Sequence, residues 1–206
     1  MSHAPKRYTQ LPFLLQMLRR SEIALLDPAS WEDRNDAYYL DLFRMKNAFT
    51  SVFALCMTRT STTFHHWKVF AGSTSGVCLH FKVDQLVLWA KANQIQLREV
   101  SYFSLQKASR NPPSKLDLPF RKRHAFEDEA ELRLLYPSQE PQSSSRAFPF
   151  KLEMLAKIEI NPWLPQGAFE AVSESICEIE GCKSIVVEQS HLLNNREWAN
   201  IAVDSE

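Results

Sequence analysis

Glu129, Glu131 and Arg133 stand at alternate positions of the run Glu129-Ala130-Glu131-Leu132-Arg133, downstream of Lys122 and Phe126. In a β-strand successive side chains take opposite faces, so this spacing places two carboxylates and a guanidinium together, with Ala130, Leu132 and Leu134 turned away. Such a face can supply a general acid or base, or accept hydrogen bonds from a sugar hydroxyl. Arg133 can hold a phosphate or carboxylate through two parallel hydrogen bonds. The same residues can equally form a solvated ion-pair ladder, worth roughly 0–1 kcal/mol per pair. The pattern is not unique in the chain, because Glu127/Glu129 and Glu178/Glu180 repeat it.

Other residues widen the choice of chemistry. Asp33 and Asp36 can join the glutamates around a divalent metal, as a nuclease would require, or can cap a helix and close a turn. His65 and His66 are adjacent and do not read as a metal pair, and the four cysteines show no CxxC spacing. No protein-held metal is therefore expected. Trp67 and Phe70 can wall a base or nicotinamide ring, or fill the core of a short helix. The run Arg121-Lys122-Arg123-His124 is a local basic patch that reads as a solvated turn. No GxxxxGK[ST], GxGxxG, GxSxG or HExxH occurs, which removes the best-marked nucleotide, hydrolase and metalloprotease classes.

Composition narrows the class further. Lys plus Arg and Asp plus Glu both total 24 in 206 residues. That balance argues against a nucleic-acid-coating domain and leaves self-association open. The stretch Met1–Thr9 carries Lys6 and Arg7 without an apolar signal core, and no apolar run is long enough to span a membrane. Cys56, Cys78, Cys177 and Cys182 read as buried free thiols in a reducing compartment, so a cytoplasmic protein without a membrane partner is expected.

These side chains must be positioned by a mixed set of elements. The spacing predicts a helix over residues 11–18 capped by Thr9, with Pro12 in its first turn. It predicts strands at 22–26, 51–58, 77–83, 95–103, 130–136, 155–160 and 184–188. Helices are expected at 38–46, around 65–70, from an Asp84 cap to Asn93 with Leu86, Val87 and Trp89 inward, and at 169–179. Residues 138–145, rich in Pro, Gln and Ser, read as a loop. There is no regular βαβ beat. The expectation is a single α+β domain over residues 1–206, with a mixed, mostly antiparallel sheet and flanking helices.

Several segments together resemble the bacterial family catalogued as domain of unknown function 2971. Lys6-Arg7-Tyr8 approximates its opening strand, and Trp31-Glu32-Asp33-Arg34-Asn35-Asp36 its acidic turn, without the Asn and Pro. Trp67-Lys68-Val69-Phe70-Ala71 and Gly76 to Phe81 match its next motifs, with Phe70 for Tyr. Val100-Ser101-Tyr102 follows, then Lys122, Phe126 (for Trp), Glu129, Glu131 and Arg133. The resemblance covers about residues 6–136, with a strand-helix-strand at about 150–190 beyond it. The family name implies no activity. Arg7, Ser73-Thr74-Ser75 and the late Glu131 also resemble ADP-ribosyltransferases, which implies an enzyme acting on a nicotinamide dinucleotide (NAD) or another small nucleotide in bacterial defence or toxicity. On that resemblance Glu131 is the principal carboxylate and Glu129 its helper. Arg7, Arg133 and Lys122 hold phosphates, while Tyr8 and Trp67 shape the pocket. The alternatives are a non-catalytic module with a protein partner, in which the same residues form an ion-pair network, and a metal-dependent nuclease.

Overall fold

The computed structural model describes residues 4–203; the two ends of the expected domain, residues 1–3 and 204–206, lie outside it. The chain opens with β1 (Lys6–Gln10), which passes directly into α1 (Leu11–Arg20), and continues through β2 (Glu22–Leu26), α2 (Arg34–Lys46) and β3 (Ser51–Thr58). A short helix α3 (Phe64–His66) runs into one π-helical stretch (Trp67–Ala71). Then come β4 (Gly76–Phe81), α4 (Val83–Ala92), β5 (Gln96–Glu99), β6 (Ser101–Phe103) and α5 (Leu105–Arg110). The last part comprises β7 (Arg121–Arg123), β8 (Glu131–Ser138), β9 (Ser145–Pro149), β10 (Leu155–Ile160), α6 (Gln166–Cys177), β11 (Val187–Gln189) and α7 (Arg196–Val203). The α+β class with a mixed, mostly antiparallel sheet is as expected.

The strand order is β11-β10-β4-β1-β3-β2-β9, with β8 on the far edge of β3 and β5 beyond it. One pairing in this sheet, β10 with β11, is parallel, and β6 and β7 form a separate parallel pair. One sheet face is apolar: Phe53, Leu55, Met57, Leu79, Leu132, Leu134 and Ile158 pack under α1, α4 and α6. On the opposite face Val52, Ala54 and Leu135 meet Leu40 and Phe43 of α2, and Tyr8 and Cys78 meet Trp67 and Ala71. Lys6, Thr58, His80, Glu131, Arg133, Lys157 and Glu159 also lie on that second face.

β3 is paired along its whole length by β8, but its other edge is shared. Thr58 pairs with Lys6 of β1 and Ala54 with Leu26 of β2, so the strands fork between them. The Cys56 carbonyl falls in the fork, where Arg7 Nη1 donates to it at 3.0 Å. A buried carbonyl is costly when left unpaired, and Arg7 removes that cost.

Several local expectations are corrected. Thr9 lies in β1 and α1 starts straight from the strand end at Gln10, so no side chain caps it. Asp84 sits within the first turn of α4, with Lys82 at the cap. Leu86, Trp89 and Ala90 make the buried stripe of α4 and leave Val87 exposed. The strand expected at 95–103 breaks at Val100, and the one at 184–188 shrinks to Val187–Gln189 after a 3₁₀ turn. Strands β7 and β9 and helices α5 and α7 lie beyond those expectations. The cysteines are free, but Cys177 is exposed. Among the described residues no helix is long and apolar enough to cross a membrane.

Candidate functional site

The polar face of the sheet carries two rows of side chains set by strand register. Lys157, His80, Lys6, Thr58 and Glu131 align across β10, β4, β1, β3 and β8. Glu159, Cys78 and Tyr8 align in the next row, and Cys56 pairs with Arg133 beyond the fork. Alternation puts Arg7 on the other face, where it lines a cleft of about 290 Å³ with Phe13, Leu14, Leu55 and Leu79. Lys6 and Tyr8, not Arg7, therefore share a face with Glu131.

At the β8 end the charged residues close on one another. Asp33 caps α2, its Oδ1 accepting from the N–H groups of Asn35 and Asp36, which sets Asp36 in the first helical turn facing the sheet. Arg133, with 0 % exposure, donates to Asp36 Oδ1 and Oδ2 at 2.8 and 2.6 Å and to Glu131 Oε1 and Oε2 at 2.7 and 2.8 Å. Its remaining donor reaches the Pro119 carbonyl at 2.7 Å, and the Trp31 ring lies 5.1 Å from the guanidinium carbon. A guanidinium has five N–H donors, and these bonds use all five.

Lys122 enters from β7 because Tyr102 of β6 pairs with it in parallel register. Its ammonium donates to Glu129 Oε2 at 2.6 Å and to Glu131 Oε2 at 3.4 Å, lies 3.7 Å from Asp36 and sits over Phe126. Tyr102 Oη accepts the Glu131 backbone N–H at 2.8 Å, and the Cys56 thiol lies beside the Glu131 carboxylate. Glu131 is 3 % exposed. Burial alone would raise its pKa, but Arg133 and Lys122 outweigh burial and hold it below the ordinary glutamate value. Burial alone would lower Lys122, yet Glu131 and Glu129 hold it above an ordinary lysine. Burial raises Glu129, whose side chain is part-exposed. Three carboxylates thus face two cations, and Glu129 is the most exposed of the three.

The strand reading of this motif is right for Glu131 and Arg133 and wrong for Glu129. Ala130 takes φ +40°, a left-handed conformation that closes the 3₁₀ turn His124–Glu129 and starts β8 after it. Glu129 thus joins the cluster from a turn and not by alternation. The face is also not a solvated ladder, because both sides of β8 are covered through Leu135. Asp33 and Asp36 do not form a metal donor set with the glutamates, since Asp33 caps α2 while Arg133 and Lys122 take up the oxygens of Asp36, Glu129 and Glu131.

The remaining candidates lie elsewhere. Trp67 is buried against Tyr8, with ring centroids 5.2 Å apart, while Phe70 stacks on His66 at the surface side. His66 Nε2 meets the Asp128 carbonyl at 3.1 Å. Ser73 and Ser75 bond to each other in an exposed turn before β4, where a side chain in place of Gly76 would meet Ala71 Cβ at 2.4 Å. The structure therefore brings Glu131, Glu129, Arg133 and Lys122 together and keeps Arg7 and Trp67 out of that group. A pocket of about 140 Å³ adjoins the cluster, with Asp36, Lys122, Tyr39, Phe103, Arg121 and Arg123 in its wall.

The Cys78–His80–Glu159 group and the buried Lys6 were missed from sequence. The alternation of Lys6 with Tyr8 and of Cys78 with His80 is the signal that holds them. Their meeting with Glu159 depends on a strand pairing that no local pattern states. No family model matches the chain, and no curated protein matches it either.

Proposed function

We propose that this chain is a non-catalytic interaction module, a divergent member of the bacterial family it resembles, in which Asp36, Glu129, Glu131, Arg133 and Lys122 act as a structural clasp. The observation that carries this reading is the saturation of Arg133: all five donors are used inside the protein, and Glu131 is sealed behind Asp36 and Lys122. A general acid, base or nucleophile must reach its substrate, and a phosphate-holding arginine must have donors to offer. Neither condition holds at this cluster. The clasp instead fixes α2 and the 3₁₀ turn before β8 against the polar face of the sheet.

A second reading keeps a small nucleotide as ligand, because Asp36 and Lys122 reach the adjoining pocket. Its volume of about 140 Å³ suits a ring-sized fragment rather than a dinucleotide, where drug-sized ligands occupy roughly 300–1,000 Å³. Thermal-shift measurements with NAD and with nucleotides plus magnesium separate the two. The module reading expects Glu131→Gln to melt well below wild type without ligand, and neither protein to be stabilised by NAD. Stabilisation of wild type by NAD that Glu131→Gln abolishes would overturn it.

A further inference from the structure

The opposite end of the polar face holds a group of different character. Cys78 and His80 are alternate residues of β4, and Glu159 of β10 pairs directly with Cys78. The three donor atoms lie within 4.8 Å of one another, and His80 Nε2 is 2.8 Å from Glu159 Oε2. Cys78 is buried, while the His80 side chain is part-exposed and opens the group to solvent. The Ser190 hydroxyl lies beside the Glu159 carboxylate. Tyr8 Oη, buried on the adjacent strand, comes close to Cys78 and has no hydrogen-bond partner of good geometry.

We propose that Cys78, His80 and Glu159 bind a divalent transition-metal ion of the zinc class, bridging β4 and β10. Thiolate, imidazole and carboxylate together suit a borderline-soft ion, whereas calcium and magnesium take oxygen ligands. On binding, Sγ, Nε2 and one carboxylate oxygen form bonds to the metal. The thiol proton passes to solvent, the proton that His80 Nε2 shares with Glu159 is exchanged through solvent to Nδ1, and the freed Nε2 and carboxylate oxygen take the two metal bonds in place of their hydrogen bond. Water completes a four-coordinate site on the His80 side. Ser190 and Tyr8 then act one shell out, the first orienting the carboxylate and the second donating to the thiolate, which gives the orphaned Tyr8 hydroxyl its acceptor. Lys6 is the opposing element, a buried ammonium on the same face near Cys78 and Glu159. The inference is independent of the structural reading of the Arg133 clasp.

The test is titration of the full chain with cobalt(II), followed by thiolate-to-cobalt charge-transfer absorption, with zinc stoichiometry after dialysis as a second readout. Wild type and Cys177→Ser, which removes the exposed thiol, should both bind one ion per chain and show the band. Cys78→Ser should lose the band with its circular dichroism unchanged. His80→Gln, at a part-exposed position that tolerates the change, should bind more than about tenfold more weakly, a loss at the scale seen for ligand-shell changes. Lys6→Met should bind more tightly. No band in wild type, a band that persists in Cys78→Ser, or unchanged affinity in His80→Gln would each overturn the assignment.

Discussion

Lys122 and Lys6 lie under the same sheet face, and both are largely buried, yet their surroundings are opposite. Lys122 is ringed by Glu129, Glu131 and Asp36 and covered by Phe126. Lys6 has the Thr62 hydroxyl at 3.3 Å as its hydrogen-bond partner, and burial lowers its pKa. Around Lys122 each charge has a counter-charge and Arg133 has no donor to spare. Around Lys6 a thiol, an imidazole and a carboxylate converge, and Tyr8 Oη, Trp67 Nε1 and His66 Nδ1 are left without partners. A satisfied buried network rigidifies a fold, whereas unmet buried polar groups mark a place where stability is given up. The contrast assigns structure to the β8 end and ligand chemistry to the β4–β10 end.

The largest effect that can break this comparison is at Arg133. Arg133→Met strands Asp36 and Glu131 as buried charges and should lower unfolding free energy by about 3–5 kcal/mol in urea titration. Replacing Asp36, Glu131 and Arg133 together by apolar residues of similar volume should cost less than Arg133→Met alone, because no charge is then left unpaired. If the triple variant is the less stable, the clasp does more than balance charge. The two lysines should then respond unequally. Lys122→Met should destabilise more than Lys6→Met, since Lys122 bonds directly to carboxylates whereas Lys6 bonds to the Thr62 hydroxyl; equal losses would contradict the distinction.

Acidity sharpens the same contrast by a smaller amount. The folded pKa of Glu131 is depressed, so its stabilisation is complete above its unfolded value of ~4.3 and is lost as pH falls through the folded value. The gap in unfolding free energy between wild type and Glu131→Gln should therefore be widest near neutral pH and narrow below about pH 4. Glu129 has a raised folded pKa, so its ionisation opposes folding as pH rises. Glu129→Gln should be close to neutral or stabilising near pH 7, where Glu131→Gln is costly.

Much of the fold was legible because its strong elements obey local rules. The apolar run Ser51–Thr58 gives a buried central strand, and Leu14 with Leu18 gives α1 its inward stripe. The pairing of Glu131 with Arg133 was legible for the same reason. Burial of that face was not, because it depends on Asp36 arriving 97 residues earlier in the chain. Glu129 was misplaced because a non-glycine residue in the left-handed region, Ala130, leaves no sequence mark. The contact of Arg7 with the Cys56 carbonyl was not legible, because the fork between β1 and β2 is a property of the sheet and not of any segment. His80 and Glu159 carried no motif, since 79 residues separate them and a two-strand register joins them.

The most direct test of the clasp is a double-mutant cycle between Glu131→Gln and Arg133→Met, read as unfolding free energy in urea near pH 7. The account predicts that each single change costs about 3–5 kcal/mol and that the double variant costs far less than their sum, a strong coupling between neighbours in one network. Single losses of about 1 kcal/mol or less, adding independently, would show these residues to be dispensable to the fold and would contradict it.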